Sequence, residues 1–191
     1  MTEEINHFTE TDLKDPAKMN LSLKGIKQFY VDVQKEEYKI TTLVEIYKII
    51  GVNQSVIFCN SFTQLQMIEE QLQSHNYPVD IIHETMTLHE RNTVLQNFKY
   101  GLIRSIIVTD VIQEGFQCFY KNLEQVSLLI NFDIPETNET YLERVGIHPE
   151  CNKKGVVITF ITTEERERIN SIQLQYETKI VPLPTTFMDY L

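Results

Sequence analysis

Short apolar runs alternate along the chain with longer segments whose apolar residues return every three or four positions. The runs are Ile26–Val33 (IKQFYVDV), Ser55–Cys59, Val79–His83, Ser105–Thr109, Val126–Ile130 and Val156–Ile161. They are five to eight residues long, rich in β-branched and aromatic side chains, and predict buried strands. Between them the period changes. Ile40, Leu43, Val44, Tyr47 and Ile50 mark a helix over 36–50 that Gly51 ends, and Leu65, Ile68 and Leu72 mark one from Phe62 to about His75. A third helix runs from Leu88 to Tyr100 and is closed by Gly101; a short one covers Asn138–Arg144. Thr162 and Glu165 have capping-box spacing and predict a last helix to about Tyr176.

Strands of this length separated by helices of ten to fifteen residues need crossover connections, so their sheet is parallel and covered on both faces. The expected fold is α/β: a single doubly wound domain with a mostly parallel sheet flanked by helices, occupying residues 21–191. Residues 1–20 are polar, carry the turn signal Asp15-Pro16, and read as a linker or arm.

Composition adjusts this picture in three places. The 191 residues are 42% hydrophobic, enough to bury a sizeable core. A net charge of −10 weighs against a free-standing nucleic-acid binder, which needs clustered Lys and Arg at phosphates. The three cysteines, at 59, 118 and 151, form no C-x-x-C pair and fit a reducing compartment. Met1 is followed by acidic and polar residues and no apolar stretch reaches membrane-spanning length, so the expectation is a cytoplasmic protein, with the nucleus as alternative and no membrane partner.

Candidate chemistry is thin. His148-x-x-Cys151 beside Glu150 supplies ligand types, but one pair is no metal site. His83, Glu84, His89 and Glu90 straddle a strand end and a helix start and read as surface residues. The alternating charges of Thr163–Asn170 read as a solvated helix face.

Several blocks nevertheless agree in order and spacing with a known family. Lys24–Tyr38 and Val56-Ile-Phe-Cys-Asn-Ser61, followed by His83-Glu-Thr-Met-Thr-Leu-His-Glu-Arg91, resemble the second RecA-like domain of DEAD-box RNA helicases of the initiation factor 4A type. So do Thr109-Asp-Val-Ile-Gln-Glu-Gly-Phe-Gln117, Val126–Pro135 and Tyr141–Glu150. The resemblance implies a RecA-like fold. Nothing in the chain resembles the family's first domain: there is no G-x-x-x-x-G-K-[ST] loop and no Asp-Glu-Ala-Asp.

The resemblance also implies which positions face nucleotide and RNA. In the family's His-Arg-x-Gly-Arg-x-x-Arg block the two later arginines reach the γ-phosphate. Here Arg144 and Gly146 are kept, while Ile147 and Glu150 stand at the two finger positions. An arginine finger is worth about 10³–10⁵ in rate, or roughly 4–7 kcal/mol of barrier. Isoleucine supplies none of it, and a turn before a strand explains the loop more simply. Thr109, Asp110 and Gly115 are retained in the next block, where Glu114 replaces an arginine, Gln117 replaces an aspartate and Phe119–Leu123 is extra. Arg91 matches a family arginine and points either at phosphate or at local carboxylates. No catalytic residue is expected in this chain and no metal site. ATP would enter only with a separate first RecA-like domain.

The expected function is therefore a degenerate helicase C-terminal domain acting as a protein-interaction module in RNA metabolism or translation. The implied partner is a helical-repeat scaffold of the initiation factor 4G type, with RNA binding weak at best. The alternative is one half of an ATP-dependent RNA helicase completed by a separate N-terminal domain. A gene relic with no retained task is a third.

Overall fold

The structure, a computed structural model, describes residues 23, 26–50, 54–110, 126–145 and 155–191. Seven strands and five helices follow one another: β1 (Lys27–Gln34), α1 (Lys39–Ile50), β2 (Ser55–Cys59), α2 (Phe62–Ser74), β3 (Val79–Ile82), α3 (Leu88–Lys99) and β4 (Ser105–Thr109) come first. Then come β5 (Leu128–Asn131), α4 (Asn138–Val145), β6 (Val156–Thr162), α5 (Arg166–Gln175) and β7 (Ile180–Pro182). The strands form one sheet in the order β3-β4-β2-β5-β6-β1-β7. Every described pairing is parallel, so the sheet is wholly rather than mostly parallel.

Alternation along each strand builds two cores. Val56 and Phe58 of β2 join α3, α4 and α5 on one face; Ile57 and Cys59 join α1 and α2 on the other. Connections running one way along the sheet, β1 to β2 and β2 to β3, carry α1 and α2. Those running back, β3 to β4, β5 to β6 and β6 to β7, carry α3, α4 and α5. This is how right-handed crossovers cover both faces. The central strands β2, β4 and β5 are buried along their whole length. Burying each such Val, Ile, Leu or Phe stabilises the fold by roughly 1.5–3 kcal/mol.

Local signals fix the helix ends. The Ser61 hydroxyl accepts from the Gln64 N–H, and Thr87 and Glu90 form a reciprocal capping box at α3. Gly101, at φ +72°, closes α3: its N–H reaches the Phe98 carbonyl, and the Leu102 N–H reaches Asn97.

Departures from the sequence expectations are local. The first strand is shifted by one residue, and the run at 126–130 pairs only over Leu128–Asn131. Glu165 accepts from the N–H and hydroxyl of Thr162, but Thr162 is still in β6 and α5 starts at Arg166. Of the charged stretch 163–170, which runs into α5, Glu164, Arg166 and Glu167 are exposed, Arg166 pairs with Asp32, and Ile169 turns into the core. β7 was not foreseen; three residues ending in Pro182 carry too little pattern. It pairs with β1 at one edge of the sheet. At the other edge, the Asp80 carboxylate accepts the Ile81 backbone N–H. The arm assigned to residues 1–20 lies outside the described residues.

Polar groups also seal both ends of the central strands. At the amino ends, Tyr47, Ser55 and Ser105 form a buried triangle of hydroxyls, 2.6–2.7 Å apart. The carboxyl ends carry the candidate site.

Candidate functional site

The carboxyl ends of β2, β4 and β5 run directly into Asn60, Asp110 and Asn131–Asp133. In open α/β sheets this rim is where ligands bind. Arg144 projects into it from α4, whose buried face is Tyr141, Leu142, Arg144 and Val145. Its guanidinium is 2% exposed and lies over the Phe58 ring at 5.2 Å.

All five of its N–H donors have partners. Nε donates to Asp110 Oδ1 at 2.6 Å, and Nη2 donates to Asp110 Oδ2 at 2.5 Å and to Asn60 Oδ1 at 2.7 Å. Nη1 donates to the Asp133 carbonyl at 2.8 Å and, at 3.4 Å, to Asn131 Oδ1. The Asp110 contact is a bidentate fork. One side chain thus ties β2, β4 and β5 to the helix that follows them.

A second cation extends the network. Lys39, 1% exposed at the start of α1, donates to Asp133 Oδ1 at 2.9 Å and to Glu36 at 2.8 Å. Burial works against its charge, but the carboxylates of Asp133, Glu36 and Glu165 outweigh burial and raise its pKa. Asp133 accepts further bonds from the Asn60 N–H and the Gln64 amide, so its buried charge is fully solvated by protein. Beside it, burial and then the Asp133 charge push the Cys59 thiol up to about 12, which removes it as a nucleophile at neutral pH.

Thr109 and Asp110, expected on a nucleotide or RNA face, end β4 and begin the network; Thr109 is 6% exposed. Arg144, expected on the same face, is buried at this rim, with all five donors taken up within the fold. Arg91, in α3, is half-buried and donates to the Glu84 backbone carbonyl at 2.7 Å, where local carboxylates were the alternative expected for it. Gly115, Gln117, Gly146, Ile147 and Glu150 lie outside the described residues, as do His148 and Cys151. Among the described residues, no three His, Cys, Asp or Glu side chains come together to hold a metal ion, and no helix is long and apolar enough to cross a membrane.

Lys39, Asn60, Gln64, Asn131 and Asp133 carried no role in the sequence. One signal was available. Lys39 sits four and eight residues before Leu43 and Tyr47, on the apolar stripe of α1, where a lysine needs a buried anion.

The arrangement can hold the ends of β2, β4 and β5 together with α1 and α4; among the described residues it presents no activated nucleophile and no outward cation. A family model described as the helicase conserved C-terminal domain matches residues 38–146. The ATP-dependent RNA helicase FAL1 of Kluyveromyces lactis is 38% identical, over 96% of this chain and 46% of its own length. Eukaryotic initiation factor 4A of Caenorhabditis elegans is 32% identical, over 100% of this chain and 48% of its own. The chain therefore spans about half the length of the curated relatives it matches. Among solved structures, the C-terminal domain of the DEAD-box protein Dbp5 matches with a TM-score of 0.75 at 26% identity, covering 88% of this chain and 95% of that one. The Saccharomyces cerevisiae Dbp5 C-terminal domain bound to a Gle1 variant and IP6 matches at 0.71 and 26%, over 86% and 93%.

Proposed function

The chain belongs to the helicase conserved C-terminal domain family, and from that premise we propose that it works as a protein-interaction module in RNA metabolism or translation, its nucleotide and RNA chemistry lost. One observation carries this: the arginine kept from the family's last motif, Arg144, is spent inside the fold on Asp110, Asn60, Asn131 and Asp133. Retention of that residue is explained by the fold alone. The positions that would reach a phosphate from outside carry Ile147, Glu150 and Gln117. A Dbp5 C-terminal domain bound to a Gle1 variant supports the idea that such domains serve as protein-binding units. The partner proposed for this chain is a helical-repeat scaffold of the initiation factor 4G type, in the cytoplasm. RNA binding is weak and falls steeply with salt.

The test is titration of the purified chain with a 4G-type scaffold in the absence of ATP and RNA. Complex formation is expected. No complex at tens of micromolar, with a cooperative thermal transition proving the chain folded, overturns the proposal.

A second reading has its own support: the FAL1 relative is named an ATP-dependent RNA helicase, and this chain covers 46% of it. In that reading the chain is one half of a helicase and a separate first RecA-like domain holds the ATP. RNA-stimulated phosphate release on mixing the two halves, abolished by leaving out this chain, would establish it and displace the first.

A further inference from the structure

The charge at the carboxyl rim is layered. Its inner cations among the described residues, Lys39 and Arg144, are 1% and 2% exposed and matched by Asp133 and Asp110. The outer layer among the described residues is carboxylate: Glu84, Glu90 and Glu143 are all exposed. Burial, Asp110 and Glu139 raise the Glu143 pKa, as expected where like charges crowd. Arg91, in the first turn of α3, is turned back onto the Glu84 carbonyl.

Within this acidic rim sits an apolar feature the network does not use. Phe62, two residues beyond Asn60, is 47% exposed, and its ring meets His83 edge-on at 5.0 Å between centroids. His83 is held from the other side by Thr85 and lies within the field of Glu90. Five residues on, Leu88 opens α3 with 75% of its surface in water. Half-exposed aromatics braced by a neighbour are the type of residue that anchors interfaces.

We propose that Phe62, His83 and Leu88, rimmed by Glu84 and Glu90, form the docking surface for the partner, and that the partner enters it with a large apolar side chain flanked by lysine or arginine. The proposal rests on the interaction-module reading and names its surface. Charge complementarity selects the occupant. At this patch a phosphate backbone would meet the Glu84 and Glu90 carboxylates, with Arg91 turned back onto the Glu84 carbonyl, whereas a basic flank would be drawn to those carboxylates.

The probes are a purified 4G-type helical-repeat fragment and a single-stranded RNA oligonucleotide, each titrated against the whole chain. Three variants are compared: F62A/L88S, E84K, and Y100S/L102S, the last altering two exposed apolar side chains at the opposite end of the sheet. Thermal transitions equal to wild type show each is folded. F62A/L88S is expected to weaken scaffold binding at least tenfold and E84K to weaken it about threefold at low salt, converging with wild type at high salt; Y100S/L102S binds normally. Unchanged binding by F62A/L88S, or loss confined to Y100S/L102S, overturns the surface while leaving the module reading standing. Wild-type chain that binds the RNA tightly and ignores the scaffold overturns both.

Discussion

The two ends of β2 and β4 bury polar groups in opposite ways. At the amino ends, Tyr47, Ser55 and Ser105 are neutral, and three hydroxyls share three hydrogens so that each donates once and accepts once. At the carboxyl ends, Lys39, Asp133 and Arg144 are charges held in the interior, neutralised in two pairs, Lys39 with Asp133 and Arg144 with the partly exposed Asp110. A closed neutral ring tolerates the loss of a member, because the remaining two still pair. An ionic cluster does not, because each removal strands a charge away from water. The fold has therefore placed its least forgiving chemistry at the rim where related sheets bind ligands.

Arg144→Met tests this most severely. It leaves Asp110 unpaired and Asn60, Asn131 and the Asp133 carbonyl short of donors, and should cost about 3–5 kcal/mol in urea or guanidinium unfolding. Adding Asp110→Leu should recover part of that loss by removing the stranded carboxylate. A double variant no better than the single would mean the hydrogen bonds, not the charge, dominate.

Lys39→Met comes next, at about 3 kcal/mol, since Asp133 keeps the Asn60 N–H and the Gln64 amide. The same denaturant titration checks it.

Alkaline pH probes both ends at once. Burial raises the Tyr47 hydroxyl to about 12, against about 10 in the unfolded chain. The folded state keeps a proton the unfolded state releases, so this stability is whole below pH 10 and drains between 10 and 12 at about 1.4 kcal/mol per pH unit. The Lys39 pair, with its raised pKa, holds below about 10.5 and fails as pH climbs through the raised value. The Cys59 thiol, pushed up to about 12 against about 9 when unfolded, adds a loss of the same sign that begins earlier. Stability flat from pH 7 to 8 and falling progressively from about 9 is expected. A fall already under way between about pH 7 and 8 would contradict it.

Tyr47→Phe is the mildest change. Ser55 and Ser105 remain 2.7 Å apart and bonded to each other, so the loss should be about 1 kcal/mol. The variant should also lessen alkaline destabilisation, because one of the buried groups that ionise there is gone.

How much of this was legible in the sequence differs between the cores and the site. The strands and helices were readable because Val56–Phe58, Ile106–Val108 and Leu128–Ile130 are continuous apolar runs, and Leu65, Ile68 and Leu72 keep a helical period. β7 was not, since three residues ending in proline leave no period to read. At the site, Asp110 and Arg144 were both singled out but as parts of an external face. They are 34 positions apart, and only the sheet order brings the ends of β4 and β5 to the same helix. Asn60, Asn131 and Asp133 stayed silent because an isolated polar residue after a strand is also what an ordinary turn looks like.

The sheet's two margins have a consequence of their own. At one the Asp80 carboxylate occupies the Ile81 N–H, and at the other Pro182 has none to offer. Among the described residues neither border offers an uninterrupted ladder to another backbone, which disfavours growth by strand addition into swapped dimers or fibrils. Recognition through side chains is favoured in its place, and that is a choice a handful of substitutions can redirect while the sheet stays as it is.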